Sequence, residues 1–316
     1  MMDEFCRRLN RARELSWQNM GTTITFYLPG MFSYEGMRGK YPVISITGDH
    51  CSLQCDHCGG KILEKMISAS TPALLVEKCQ ELHGKGMLGV LISGGCDASG
   101  ELPWETFLEA ISAMKAATGL FVSIHSGLVN AEQAIGLKQA GVDQALIDVI
   151  GDDETFRKVY HVPFGVDRIE QSMEALSNAG IPMVPHIVCG LDNGRIKGEK
   201  TAVAMISHFP VTHLVIVSLM NILGTASYRA SLPKPEDVAD VIIDARFQMP
   251  RTIISLGCAR QRGNRRLETM AIDAGINRLA MPSDEAIEKA ENYGLDTRFQ
   301  KTCCSVTTDL SSESWQ

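Results

Sequence analysis

The chain of 316 residues is 45% hydrophobic and carries a formal net charge of −7, with a pI near 5.7. That acidity speaks against a nucleic-acid surface, which shows as a basic stripe, and no apolar run reaches the length of a membrane span. Ten cysteines, behind an N-terminus without an apolar signal region, point to a soluble protein of the reducing cytoplasm with metal or redox duty.

Residues 3–17 read as a charged amphipathic helix, and residues 1–40 as that helix with a lead-in. From 41 to 295 short apolar runs alternate with helical patterns. Strands are predicted at Val43–Thr47, Val90–Ser93, Leu120–Ile124, Ala145–Ile150, Met183–Val188, Leu214–Leu219, Thr252–Leu256 and Arg278–Ala280. Helices are predicted at Pro72–Gly86, Trp104–Ala117, Glu132–Ala140, Val166–Ala179, Glu199–His208, Pro235–Gln248, Arg265–Ala274 and Asp284–Asn292. Gly141, Gly180 and Gly275 each follow a helix and precede a strand, as C-terminal cap glycines do. Apolar strands separated by amphipathic helices form a parallel sheet. Eight units fit an α/β fold of the (β/α)8 TIM-like barrel type; a partial six-stranded barrel with extra elements is the alternative. Residues 296–316 are a tail with a Cys303-Cys304 pair, Ser/Thr-rich from Ser305 and expected to fray.

The first barrel strand runs into Gly48-Asp49-His50-Cys51-Ser52-Leu53-Gln54-Cys55-Asp56-His57-Cys58-Gly59-Gly60. Cys51, Cys55 and Cys58 are spaced Cys-x3-Cys-x2-Cys, with the His57 ring just before the last thiol. Three thiolates on one loop can hold three irons of a 4Fe–4S cubane and leave the fourth open. A structural zinc site needs His50 or His57 as a fourth ligand, and ferredoxin loops use a Cys-x2-Cys-x2-Cys spacing. The spacing and its place after a strand resemble the radical S-adenosylmethionine (SAM) superfamily. The resemblance implies a radical SAM barrel in which the open iron chelates SAM and electron transfer yields a 5′-deoxyadenosyl radical. It also implies a reductant such as ferredoxin or flavodoxin.

In a barrel the ends of the strands face one mouth. Ser93-Gly94-Gly95-Cys96-Asp97 resembles the Gly-Gly-Glu-like turn that holds the SAM amino group; Cys96 stands where the acid is expected, and Asp97 is the substitute. His125 and Asp148 close their strands and are the candidate catalytic residues, while His186 lies in a strand body. Val188-Cys189-Gly190-Leu191 resembles the segment lining the adenine, which makes Cys189 and Gly190 cofactor-binding candidates along with His57, Ser93, Gly94, Gly95 and Asp97. Gly224-Thr225 resembles a Pro-x-x-Gly-Thr turn without its proline. The run Ile254–Arg260 followed by Ala274–Ala280 resembles biotin synthase, so the likeness reaches from the cysteine loop to about Pro282.

Of the other cysteines, Cys6 and Cys79 lie on helices and read as inert. Cys96 and Cys258 stand at strand ends, and Cys303 with Cys304 can fold back from the tail. These four are soft donors for an auxiliary iron–sulfur cluster, although Cys96, Cys189 and Cys258 do not align residue for residue with the biotin synthase ligands. The nearest likeness is to the archaeal-type two-protein lipoyl synthases. It implies sulfur insertion into a protein-bound octanoyl chain, with an octanoylated carrier protein domain as substrate and a second radical SAM subunit as partner. Radical chemistry on a small metabolite, as in biotin synthase, is one alternative; a non-enzymatic iron–sulfur binding protein is the other.

Overall fold

The computed structural model describes residues 4–34 and 36–310; residues 311–316 of the tail expected to fray lie outside the described residues. Helix α1 (Glu4–Met20) leads into β1 (Thr23–Tyr27), the hairpin β2 (Ser33–Tyr34) and β3 (Met37–Arg38), then β4 (Val43–Ser45) and β5 (Ile67–Ser68). There follow α2 (Pro72–Gly84), β6 (Gly89–Ser93), α3 (Trp104–Thr118), β7 (Phe121–His125), α4 (Ala131–Gln139) and β8 (Gln144–Asp148). Next come α5 (Asp153–Tyr160), α6 (Asp167–Asn178), β9 (Met183–Cys189), α7 (Glu199–Ser207), β10 (His213–Ser218) and α8 (Pro235–Gln248). The chain continues with β11 (Ile253–Leu256), α9 (Arg265–Asp273), β12 (Arg278–Ala280), α10 (Asp284–Asn292) and β13 (Asp296–Gln300).

Eleven strands join in one curled sheet in the order β13-β1-β12-β11-β10-β9-β8-β7-β6-β4-β5. Every neighbouring pair is parallel. All eight expected strands are present, and the fold is the α/β, TIM-like barrel expected for them. Two regions read as flanks belong to the sheet: β1 comes from the lead-in and β13 from the tail, and β1 pairs with both β12 and β13. Near the sheet edges the Lys40 amide donates to the Lys301 carbonyl (2.5 Å), and the Lys40 carbonyl accepts from Leu88 (2.9 Å).

Alternation along the strands divides the apolar residues into two cores. The larger lies between sheet and helices, with residues such as Ile24, Phe26, Ile44, Val90 and Ile124. The smaller fills the inside of the curl with Tyr27, Leu146, Val184, Val215, Val217 and Ala280, and Cys304 joins it. Each such aliphatic side chain withdrawn from water contributes about 1.5–3 kcal/mol. Gly275 has φ +78° and lies against α1, where a β-carbon would stand 2.8 Å from the Arg13 Cα. Among the described residues no helix is long and apolar enough to cross a membrane.

Arg246 is fully buried on α8. Its guanidinium donates to the carbonyls of Thr252 (2.8 Å), Pro250 (3.2 Å) and Gly275 (3.3 Å) and to Asn277 Oδ1 (2.7 Å). It thus ties the turns before β11 and β12 to one helix. Arg246→Leu strands these acceptors and should destabilise the fold by about 3 kcal/mol or more in urea unfolding. An unchanged midpoint would show that the turns hold without it.

Candidate active site

The loop after β4 and the turn after β6 are locked together. The Thr47 hydroxyl accepts from the Gly95 amide (2.7 Å) and donates to the His50 carbonyl (3.0 Å), and the Ser52 amide donates to the Cys96 carbonyl (2.8 Å). The approach is close enough to require glycine. A β-carbon on Gly95 would lie 2.0 Å from the His50 oxygen and 2.5 Å from the Cys51 Cβ. Within the loop, Gln54 takes φ +46° and its amide side chain donates to the Cys51 carbonyl (2.7 Å).

The loop rests on a helix that the sequence reading misses. Helix α5 is capped by Asp152, whose carboxylate accepts from the Thr155 amide and hydroxyl, both at 2.7 Å. The Asp56 amide donates to the Val159 carbonyl (2.9 Å), and the Asp56 carboxylate meets His161 Nε2 at 2.9 Å. Tyr160 then packs on His57, with ring centroids 5.1 Å apart. The Asp152-Asp153-Glu154-Thr155 run was the available signal, an N-cap followed by acids.

These elements line a cleft of about 860 Å³, a volume that includes the open solvent at its mouth. Cys51, Cys55, Cys58 and Cys96 line it, with the Ser93–Gly95 backbone, His57, Tyr160, His125 and Asp148. The Cys55 thiol donates toward Cys58, which with the His57 ring draws the Cys58 thiol down to about 4 against the opposing effect of burial; Cys55 is pushed up in turn. Burial works against charge on His57, but the Cys58 sulfur outweighs it and raises that ring above its ordinary value. His57 Nδ1 and the Tyr160 hydroxyl are buried without a hydrogen-bond partner, so two polar atoms are left over at the cleft wall. Among the described residues no three His, Cys, Asp or Glu side chains draw together around a single ion. A cubane needs its thiolates only at separate corners, and Cys51, Cys55 and Cys58 fit it.

Deeper in the curl, His125 Nε2 stands 3.5 Å from Asp148 Oδ1, and the His125 and His186 rings are 5.9 Å apart. Burial opposes both charges, but each partner outweighs it for the other: Asp148 falls to about 2 and His125 is raised. Burial first, then His125, lowers His186 to about 4.

The remaining candidates separate. Asp97 Oδ1 accepts from the Ser99 amide (2.8 Å), the Ser99 hydroxyl (2.7 Å) and the Glu101 amide (3.1 Å), so that oxygen is held by its own turn, and Asp97 is not among the residues lining the cleft. Cys189 and Gly190 lie apart from the cofactor wall expected for them. The two-residue period of β9 turns Val184 and His186 inward but Ile187 and Cys189 toward the helices. The Gly190 amide donates to the buried Glu199 (2.7 Å).

The four cysteines expected to share an auxiliary site also part. Cys96 is pushed up to about 12 by burial and by Cys51 and Asp148, its neighbours in the cleft. Cys258 is raised to about 11 by burial and by Cys303, and the Cys304 thiol donates toward Cys303, lowering it to about 6. The tail reaches this inner position by running through the curl. Ser255 Oγ and Arg278 donate to the Cys304 carbonyl (3.3 and 3.1 Å), and Gln144 Nε2 donates to the Ser305 carbonyl (3.0 Å). Cys303 is near enough to His125 to help raise its pKa.

Two outcomes test this geometry. Gly95→Ala should displace the cysteine loop at a cost of ~1–3 kcal/mol and lower the iron taken up on anaerobic reconstitution; wild-type loading would show the contact dispensable. Asp148→Asn removes an ion pair that stabilises only while both partners are charged. The depressed Asp148 contributes fully above its unfolded value of about 3.9, and that stability is lost as pH falls through about 2. The raised His125 contributes fully below its unfolded value of about 6.5, and that stability is lost as pH rises through its folded pKa. The stability gap between wild type and variant should therefore be widest from roughly pH 4 to 6.5. A pH-independent gap in denaturant titrations would refute the pairing.

A profile of the radical SAM superfamily matches residues 45–196. The biotin synthase of Neorickettsia sennetsu is 25% identical over 241 residues, spanning 74% of this chain and 73% of its own. That of Aromatoleum aromaticum is 24% identical over 243 residues, with the same shares of each chain. Among solved structures, methylornithine synthase superposes with a TM-score of 0.65 at 16% identity, covering 94% of this chain and 90% of its own. The FeFe-hydrogenase maturase HydG of Carboxydothermus hydrogenoformans gives 0.67 at 15%, covering 95% and 73%. These structural likenesses speak for the fold. With the cysteine loop at the strand ends, the profile identifies residues 45–196 as a radical SAM domain, and in sequence the chain is similar to biotin synthases.

Proposed function

We propose that this radical SAM enzyme inserts sulfur at unactivated C–H positions of a protein-bound octanoyl chain. The observation that carries the reading is the gathering of Cys258, Cys303 and Cys304 inside the sheet, one layer beyond His125 from the cysteine loop. Three soft donors on two distant segments, one delivered by a tail threaded through the barrel, suit an auxiliary iron–sulfur group as sulfur source. The group expected here had four thiols; Cys96 belongs with the first cleft instead.

When bound, a reduced 4Fe–4S cluster with SAM on its open iron supplies a 5′-deoxyadenosyl radical able to take hydrogen from an unactivated carbon. The chain's own residues hold and shield that chemistry. Cys51, Cys55 and Cys58 are the cluster donors. The Ser93–Gly95 backbone, bare of side chains at its glycines, offers polar groups to the cofactor. His57 and Tyr160 form a wall that excludes water. His125 holds its proton against Asp148 and presents it to the space between the cleft and the inner thiols. An apolar chain entering there would lie against Leu91, Leu146 and Val188. The acyl carrier would be an octanoylated protein domain, with a second radical SAM subunit completing the sulfur insertion and a ferredoxin or flavodoxin as reductant.

A second reading is supported by the biotin synthase relatives: the same site acting on a small metabolite. Iron, sulfide and product analysis separates the two. The Cys258→Ala/Cys303→Ala/Cys304→Ala variant should keep 5′-deoxyadenosine formation with dithionite, lose about half its iron and lose sulfur transfer to an octanoylated domain. Full iron content in that variant would remove the auxiliary group from the proposal. Turnover of a free metabolite without any acylated domain would favour the second reading.

A further inference from the structure

One buried hydroxyl of the cleft has no partner among the described residues. Tyr160, the last residue of α5, is 8% exposed and lines the cleft, yet its Oη makes no hydrogen bond. Elsewhere the fold satisfies such a group: the hydroxyl of the buried Tyr41 lies 2.6 Å from Ser123 Oγ. A buried polar atom left open in a cleft marks the place of a bound group. His57 Nδ1, the other open atom of this wall, does not serve Tyr160, although the two rings pack 5.1 Å apart.

The end of α5 is clamped to the cysteine loop on both sides of this residue. The Val159 carbonyl accepts from the Asp56 amide (2.9 Å), and His161 Nε2 meets the Asp56 carboxylate (2.9 Å). Between these anchors the Tyr160 ring is packed by His57 and by Phe156, whose centroid is 5.2 Å away. His161 ends the helix at φ +58°, a left-handed backbone that a residue with a side chain adopts at a cost. The chain thus accepts strain one residue further on while it holds Tyr160 against the loop. Asp148, Cys55, Cys58 and Cys96 lie within electrostatic reach of the hydroxyl. All four line the same cleft, and none accepts its proton.

We propose that the Tyr160 hydroxyl donates a hydrogen bond to a sulfur on the Cys55–Cys58 side of the 4Fe–4S cubane and thereby raises the reduction potential of the cluster. The inference rests on the radical SAM reading. A phenol O–H is a donor, and the sulfides and thiolates of a cubane are the acceptors that Cys55 and Cys58 would bring to it. Reduction adds one negative charge to the cubane, so a hydrogen bond to its sulfur is stronger in the reduced form and favours it. The position of the ring selects sulfur over SAM. The Ser93–Gly95 turn expected to hold SAM stands against Cys51, since a β-carbon on Gly95 would lie 2.5 Å from the Cys51 Cβ. Tyr160 stands against His57, the residue before Cys58.

The test is a redox titration of the anaerobically reconstituted protein without SAM, poised with titanium(III) citrate and followed by the EPR signal of the reduced cluster. Tyr160→Phe keeps the ring and removes only the oxygen. At the wild-type midpoint its ratio of reduced to oxidised cluster should be about tenfold lower, a midpoint lower by about 59 mV for one electron. A second variant carries 3,5-difluorotyrosine at position 160, a stronger donor of nearly the same shape. Its midpoint should move the other way, which decides the matter even where the Phe variant loads no iron. Midpoints equal to wild type in the variants that load would overturn the proposal. Equal midpoints with SAM binding to the oxidised Tyr160→Phe protein weakened, measured by equilibrium dialysis, would overturn it too and assign the hydroxyl to SAM. A wild-type protein that holds the cubane but does not cleave SAM would refute the radical SAM reading, and the midpoints would still decide the role of Tyr160. A wild type that takes up no cubane would overturn both.

Discussion

The structure turns on one contact between two backbones. Gly95, at the turn after β6, lies so near His50 and Cys51 that no side chain fits between them. Thr47 bridges the same two segments with one hydroxyl that both accepts and donates. Parallel neighbours β4 and β6 bring their ends level, and this contact converts that level edge into a floor under three thiols. A loop without regular secondary structure would otherwise lose several kcal/mol of backbone entropy on ordering. Here the cost is offset by strand pairing beneath it and by α5 behind it.

The inside of the curl holds polar groups among its apolar side chains, and they are arranged in sequence. The cysteine loop comes first, then Asp148 with His125 and His186, then the inner thiols. Burial would neutralise each of these groups alone. Asp148 escapes because His125 stands beside it, and His186 is lowered by its burial first and by His125 second. The tail also runs through this space, and its backbone is fully engaged there by Ser255, Arg278 and Gln144. A peptide threaded through a barrel without such partners would leave buried carbonyls unpaired.

Much of this was legible in the sequence, and the exceptions have a common cause. Cys51, Cys55 and Cys58 were readable because their spacing acts within one loop. The eight strands were readable because each is a short apolar run closed by turn residues. Helix α5 was not, being two turns long and rich in charge, although its Asp152 cap was visible. Strand β13, Asp-Thr-Arg-Phe-Gln, has one apolar residue in five and owes its conformation to pairing with β1. The partition of the thiols lay beyond any local pattern. Cys96 and Cys258 both end strands, but β6 and β11 stand apart in the sheet order with β7 to β10 between them, so their ends face different parts of the mouth. Cys189 failed on parity alone: one residue earlier on β9, Val188 packs against the inner cluster.

The same loop therefore has two surfaces with different requirements. Its inner side must hold thiolates in a place poor in water, which favours burial, few charges and the aromatic cover of His57 and Tyr160. Its outer side is thin. Glycines at 59 and 60, both with positive φ, let the chain turn back immediately after Cys58 instead of building outward. The β10–α8 segment that lies across this turn adds small residues, Gly224 and Thr225, at the points of contact and places its bulky Leu223 and Tyr228 outside. Cover of that kind stabilises the loop without burying it deeply. A loop sealed under a full helix would be more stable and more deeply buried. The arrangement found keeps the donors dry and leaves them within one chain thickness of the surface.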